Sequence, residues 1–229
     1  MRIIAIESSG PHGSVAALRG ERAGVCCLEQ MLLPDRERTA QSLAPSLRAI
    51  LHKVDWPADS LELVCVTVGP GSFTGLRIGV TTAKTLAYAV GAQIVGSDTL
   101  EVLAAQAPAA AGRLWTIMDA QRQELFAAAF EVVDASRPRR ISETTIMGQE
   151  TWLAKLQAGD RVTGPALQQV AARLPAEVLA LPVQLWQPTA AAVGQVAWRD
   201  YQAGQRDDVW KLLPNYFRPS AAEEKHRRT

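Results

Sequence analysis

A two-lobed α/β protein with duplicated βββαβα halves is the fold class that the sequence predicts, and three observations carry it. Short apolar runs alternate with turn chemistry at the start of the chain, and an amphipathic helical stripe follows. The opening order of strand, acid, tight turn and strand then returns after residue 112. With 229 residues, 48% hydrophobic and 21% charged, the chain can bury one sizeable core or two small ones. Lys and Arg number 24 against 23 Asp and Glu, for a formal net charge of +1, so no chain-wide field draws it to phosphate backbones or anionic lipid. This disfavours a stand-alone nucleic-acid binder and leaves room for a local patch.

Residues 3–6 are an apolar run that ends at Glu7, and the turn Ser8-Ser9-Gly10-Pro11-His12-Gly13 leads into a second strand over 14–18. Arg19-Gly20-Glu21 turns the chain into a third strand over 23–28, which completes an antiparallel meander. From Asp35 the period changes. Leu43, Leu47, Ile50, Leu51 and Val54 fall on one helical stripe, with Pro45 expected in its first turn or at a kink. The continuous apolar run 61–68 suits a buried strand, and it feeds the turn Gly69-Pro70-Gly71-Ser72-Phe73-Thr74-Gly75 and a helix over 76–89. A strand over 93–95 and a helix over 99–107 close the half, and Pro108-Ala109-Ala110-Ala111-Gly112 reads as an interdomain link.

The second half repeats the plan. A strand over 114–118 reaches the acid Asp119, and a strand over 126–130 begins at the separation that relates Glu7 to Ser14. A third strand is expected over 140–147 and helices over 150–157, 166–173 and 189–204. The lobes are drawn at 1–108 and 109–229, with a return of the last ~20 residues to the first lobe allowed for. Any ligand would sit between them.

The glycine-rich turn could aim backbone N–H groups and a positive helix end at an anion. It is not a Walker loop, since Lys84 lies well beyond Gly75, and Gly-x-Gly-x-x-Gly fails at Thr74. Structural and anion-binding roles stay open for it. Glu7 and Asp119, each ending the first strand of its half, could face each other across a cleft and hold Mg²⁺ through water, or each could cap its own turn. Val162-Thr163-Gly164-Pro165-Ala166 is the only echo of an adenosine loop in the second half.

His12, His52 and His226 are the only histidines, and no metal pair or Ser-His-Asp set can be assembled from them, so neither catalytic nor metal residues are assigned. Trp152, Trp186, Trp198 and Trp210 suit core or cleft lining. Cys26, Cys27 and Cys65 form no Cys-x-x-Cys spacing, and packing is the expected role of at least one of the adjacent pair. The first apolar run has only four residues before Glu7, too few for a signal peptide, and no stretch approaches the ~20 residues of a membrane span. A cytoplasmic protein off the membrane is expected. The tail Lys225-His226-Arg227-Arg228 reads as a solvated terminus, with tRNA or partner contact as the other possibility.

Four segments together resemble the TsaB (YeaZ-type) family of the bacterial tRNA threonylcarbamoyladenosine (t6A) machinery. They are Ile4-Ala5-Ile6-Glu7-Ser8-Ser9 with Ser14-Val15-Ala16, the glycine-rich run Gly69 to Gly79, Asp119-Ala120 with Glu124-Leu125-Phe126, and Pro214-Asn215-Tyr216-Phe217-Arg218. The resemblance implies the actin, Hsp70 and sugar-kinase (ASKHA) fold. It also implies work with a metal-dependent TsaD-type catalytic paralogue and a TsaE-type ATPase, tRNA reached through the complex, and ATP or ADP at the complex interface. Aligned on Leu100-Glu101, the catalytic paralogue's metal-binding histidine pair falls on Thr99 and Leu103, which cannot replace imidazoles. A non-catalytic scaffold or activator follows from the resemblance. Glu7-Ser8 stands where the family commonly has Asp-Thr, and Thr39-Ala40-Gln41 where it often has His-Ser-Glu.

On that resemblance, the partner-binding residues are assigned to the first helix (Leu43, Leu47, Ile50, Leu51) and the glycine-rich helix (Ile78, Gly79, Thr82, Ala83, Leu86). The other reading of these residues is packing of each helix on its own sheet. The same surface could form a homodimer when the partner is absent. The rival functions are a stand-alone ATP-binding kinase or ATPase of the same fold, and a protease, which the missing histidines count against.

Overall fold

The computed structural model of the chain describes residues 1–34, 39–134 and 137–217. The opening meander is β1 (Arg2–Glu7), β2 (Ser14–Glu21) and β3 (Gly24–Leu32), followed by α1 (Thr39–Lys53). Next come β4 (Leu63–Gly69), α2 (Phe73–Val90), β5 (Gln93–Asp98) and α3 (Thr99–Ala105). The second half runs β6 (Ala110–Asp119), β7 (Glu124–Val132), β8 (Arg139–Arg140), β9 (Thr145–Gly148), α4 (Gln149–Leu153), β10 (Arg161–Thr163), α5 (Leu167–Val170), β11 (Leu179–Ala180) and α6 (Ala190–Gln202).

The first sheet has the order β3-β2-β1-β4-β5, and the second the order β11-β10-β6-β7-β8 with β9 also on β7. In each sheet the meander strands pair antiparallel, and the two later strands add in parallel to the first. β6 thus stands where β1 stands, β7 where β2 does, and β10 and β11 where β4 and β5 do. The third strand expected over 140–147 is two short pieces, because β8 and β9 take successive stretches of the same edge of β7. Each half is therefore a repeat of βββαβαβα, one strand and one helix longer than the βββαβα unit. This is the two-lobed ASKHA arrangement.

The elements stack in five layers. On the outer face of the first sheet, Ile4, Ile6, Val64 and Val66 meet Leu43, Leu47 and Ile50 of α1 and Val80, Ala83 and Ala87 of α2. On the inner face, Ile3, Ala5, Leu18 and Cys65 meet Val193, Val196 and Ala197 of α6. Helix α6 lies in the segment drawn as the second lobe, yet it covers the first sheet. Conversely, Leu100, Leu103 and Ala104 of α3 pack with Leu114, Met118, Phe126, Ala128 and Phe130 of the second sheet. The far face of that sheet carries Trp115, Ile117 and Leu125 against Trp152 of α4 and Leu167 and Val170 of α5.

Two local readings change. The stretch 108–112 is no free link, because β6 begins at Ala110, and the Arg161 guanidinium donates to the Pro108 and Ala110 carbonyls at 2.8 and 3.0 Å. Pro45 lies inside α1 on its exposed side, where a missing backbone donor is least costly. Cys26 is exposed, Cys27 is half-buried on the α6 side and Cys65 is buried. The basic tail at 225–228, Arg218 and the start of the first helical stretch at 35–38 lie outside the described residues.

Because Leu103 is fully buried between α3 and the second sheet, Leu103→Ala leaves a cavity at the junction of the lobes. It is expected to cost about 2–5 kcal/mol, read as a lower urea midpoint with an unchanged slope.

Candidate functional site

The β1–β2 and β6–β7 loops, the turn before α2 and the segment entering α5 wall a cleft of about 910 Å³ between the lobes. Two copies of the same pair of loops thus face each other, as the internal repeat implies. Arg77, Met118, Phe126, Asn215, Tyr216 and Phe217 complete the walls.

The glycine-rich run owes its composition to packing. A Cβ at Gly75 would stand 2.1 Å from the Ser8 carbonyl oxygen, and one at Gly79 2.0 Å from Ser8 Oγ. At Gly71, where φ is +154°, it would stand 2.4 Å from the Ser9 carbonyl oxygen. The Ser72 N–H donates to that Ser9 oxygen at 2.7 Å, and Ser72 Oγ caps α2 by accepting from the Gly75 N–H at 3.2 Å. The glycines let α2 close directly onto the backbone of the first turn, and Leu76 and Arg77 reach the cleft as a result.

Glu7 is fully buried and is not among the cleft-lining residues. Its Oε1 accepts from the Ser9 N–H at 2.7 Å and from the Ser9 hydroxyl, while Oε2 has no hydrogen-bond partner among the described residues. Burial raises its pKa to about 7, and this outweighs the opposing bonds from Ser9 and the Gly10 N–H. Asp119 lies on the cleft rim. Its Oδ1 accepts from the Gln121 N–H at 2.7 Å, and its Oδ2 from the side-chain amides of Gln121 and Gln169, each at 3.1 Å.

Both acids thus cap their own turns. One is out of the cleft and the other has both oxygens occupied by amides, so the pair does not fit a divalent cation held between the lobes. Among the described residues, no three His, Cys, Asp or Glu side chains are grouped to hold a metal ion.

The β6–β7 loop lacks glycine and still passes through the left-handed region at Gln121, Arg122 and Gln123, with φ of 65°, 57° and 61°. Such a conformation costs about 1–2 kcal/mol per residue. The Asp119 cap and the Glu124 N–H to Gln121 carbonyl bond at 3.0 Å hold it. The repeat predicts a turn here, but nothing in the residue types announces its left-handed conformation.

The structure also places the residues chosen for partner binding. Leu43, Leu47, Ile50, Leu51 and Ala83 are buried in the outer core of the first sheet, and Gly79 faces Ser8. Ile78 and Leu86 are half-buried against the same core, and Thr82 is half-buried. Their burial has a physical cause: an aliphatic stripe on a helix with a sheet beneath it turns inward. The exposed side includes Gln41, Pro45 and Ala49 on α1 and Thr81, Thr85, Tyr88 and Ala89 on α2. Thr99 and Leu103 are fully buried in α3, and Leu103 belongs to the core shared with the second sheet.

Two substitutions test this account. Gly75→Ala gains about 1 kcal/mol of helix propensity, but its methyl meets backbone, so a net loss of roughly 1–3 kcal/mol is expected in chemical denaturation. For Glu7 the folded-state pKa lies above the unfolded value of 4.5, so stability is highest below that value and falls as pH rises to about 7. Glu7→Gln should remove this fall, so that the difference between the two proteins changes by about 3 kcal/mol at most from pH 4.5 to pH 8.

A family model described as tRNA N6-adenosine threonylcarbamoyltransferase (TsaD) matches residues 36–198, more than half of the chain. The tRNA threonylcarbamoyladenosine biosynthesis protein TsaB of Bacillus subtilis is 29% identical over 161 residues, covering 70% of this chain and 68% of its own. The protein of the same name from Escherichia coli is 32% identical over 133 residues, covering 57% and 55%. Among solved structures, YeaZ from Pseudomonas aeruginosa superposes with a TM-score of 0.79 at 22% identity, covering 94% of this chain and 99% of that one. The chain belongs to the tRNA N6-adenosine threonylcarbamoyltransferase (TsaD) family, as a TsaB/YeaZ-type member.

Proposed function

We propose that this chain is a non-catalytic scaffold or activator subunit in t6A modification, at the adenosine next to the anticodon. In this role it supports threonylcarbamoyl transfer by a TsaD-type paralogue. Participation in t6A biosynthesis rests on the family match and on the TsaB names of its relatives. The observation that carries the non-catalytic part is the burial of Thr99 and Leu103 in α3, at the positions where the catalytic paralogue's metal pair would align.

Docking is assigned to the outward face of α1 and α2. Most of this face is small and weakly polar, formed by Gln41, Pro45, Ala49, Thr81, Thr85 and Ala89, which lets another helix pair approach closely, and the exposed Tyr88, packed on Trp210, stands at its end. Neither helix contains an acidic residue, while Arg48, Lys53, Arg77 and Lys84 supply positive charge at its margins. A partner surface with carboxylates at its rim complements this arrangement. The same face serves self-association when the partner is absent. A TsaE-type ATPase and tRNA join through the assembled complex, with ATP or ADP at its interface.

The stand-alone kinase or ATPase requires Glu7 and Asp119 to serve nucleotide phosphates. Their roles as turn caps weigh against it.

Reconstitution of t6A synthesis with the catalytic paralogue, the ATPase and the adenylate-forming enzyme is expected to need this chain, with modified adenosine read by mass spectrometry. Unchanged modification in an active reaction lacking it would reject the proposal. Thr85→Arg and Ala89→Arg should weaken binding of the paralogue about tenfold or more, equivalent to ~1.4 kcal/mol, at unchanged thermal stability. Unaltered affinity in both variants would move the interface elsewhere.

A further inference from the structure

The segment that follows α6 turns back across the first lobe and reaches the cleft at Asn215, Tyr216 and Phe217. At its start, the Asp207 N–H donates to the Ile94 carbonyl at 3.1 Å, and Asp207 Oδ2 accepts from the Gly96 N–H at 2.8 Å. Farther on, the Lys84 ammonium of α2 donates to the carbonyls of Trp210 and Leu212 at 3.2 and 2.9 Å. The Asn215 N–H donates to the Val68 carbonyl at 2.7 Å, and Arg77 Nε donates to the Tyr216 hydroxyl at 2.9 Å. Arg77 also lies over the Phe73 ring at 3.9 Å, and Phe73 and Tyr216 are 4.9 Å apart. Beyond them, Phe217 crosses to the second lobe and meets Phe126, with ring centroids 6.0 Å apart.

These contacts hold a segment with little apolar burial of its own. Val209 and Leu212 reach the first lobe's outer core, whereas Trp210, Leu213, Tyr216 and Phe217 remain 70%, 67%, 44% and 38% exposed. Segments with few buried apolar contacts open locally at far lower free energy than the sheets beneath them. Opening here removes Asn215, Tyr216 and Phe217 from the cleft wall. It also takes Phe217 off Phe126, whose ladder partner Met118 lines the cleft while only 4% exposed, so that Met118 is the nearest oxidisable reporter of the change.

We propose that residues 207–217 form a detachable wall of the inter-lobe cleft, latched shut by Lys84 and Arg77 of α2. The latch ties access to the cleft to the position of α2, and it gives the terminal motif Pro214-Asn215-Tyr216-Phe217 a role in closing the site. The proposal concerns the isolated chain and does not depend on the docking reading above.

The test uses hydrogen peroxide as the probe and Met118 as the reporter, with sulfoxide formation followed by peptide mass spectrometry on the full chain. Amide exchange of residues 208–217 is measured in parallel. In the Arg77→Ala/Lys84→Ala double variant, amides 208–217 should exchange faster, and Met118 should oxidise about fivefold or more faster, while Met31 and Met147 keep their rates. Faster exchange of the segment with an unchanged Met118 rate would overturn the proposal, because the segment would then not wall the cleft. Unchanged exchange would equally overturn it, because the latch would lie elsewhere. Should the double variant loosen globally, so that all three methionines oxidise faster, Tyr216→Ala decides. It removes the hydroxyl that Arg77 holds and leaves α2 intact, and the same two outcomes apply.

Discussion

Two sheets with apolar inner faces share a single helical layer, and the rest of the molecule depends on how that layer is filled. Each half contributes its last helix, and the helices exchange: α6 covers the first sheet, and α3 packs its Leu100, Leu103 and Ala104 on the second. At about 25 cal/mol per Å² of apolar area, neither sheet could leave this face in water and remain stable. The exchange also joins the lobes. Polar ties reinforce it: Arg140 of the second sheet donates to Asp98 at the start of α3, Arg199 of α6 to Glu101, and the Gln106 side chain bonds the backbone at Gln187 and Thr189. The cleft has its shape because these contacts set the two copies of the loop pair opposite each other.

The same economy of contact explains the glycine-rich run. Its spacing suggests a phosphate cradle, and the structure uses it to bring α2 within backbone distance of Ser8 and Ser9. Glu7 holds that turn from below through Ser9, at the cost of a buried carboxyl group with one oxygen lacking a partner among the described residues. In the second half Asp119 does the equivalent work at the rim, supported by Gln121 and Gln169. The duplication therefore extends to the way each half secures its first turn, although the burial of the two acids differs completely.

Legibility in the sequence followed the range of the forces involved. The meander, α1, the buried strand β4 and α2 were readable, because alternation and helical periodicity report local burial. The weak strands β8 and β9 are indistinguishable from a single strand in the sequence, since each is defined only by its pairing with β7. The aliphatic stripe of α1 marks an apolar face without saying what covers it. The sheet does, and Leu43, Leu47, Ile50 and Leu51 are core. The outward residues Gln41, Pro45, Thr81 and Thr85 carry no sequence signal stronger than the absence of charge.

By itself, the sequence determined the α/β class, the internal repeat, the helix-entering glycine run and the family, because each is written in short-range pattern or in residue identity. The tertiary structure alone decided which lobe receives α6, that Glu7 is buried while Asp119 reaches the cleft, and that Tyr216 and Phe217 wall a cleft more than a hundred residues away in the chain from Phe73 and Arg77. Those outcomes depend on contacts between distant segments, whose positions are set only when the two sheets close on their shared helical layer.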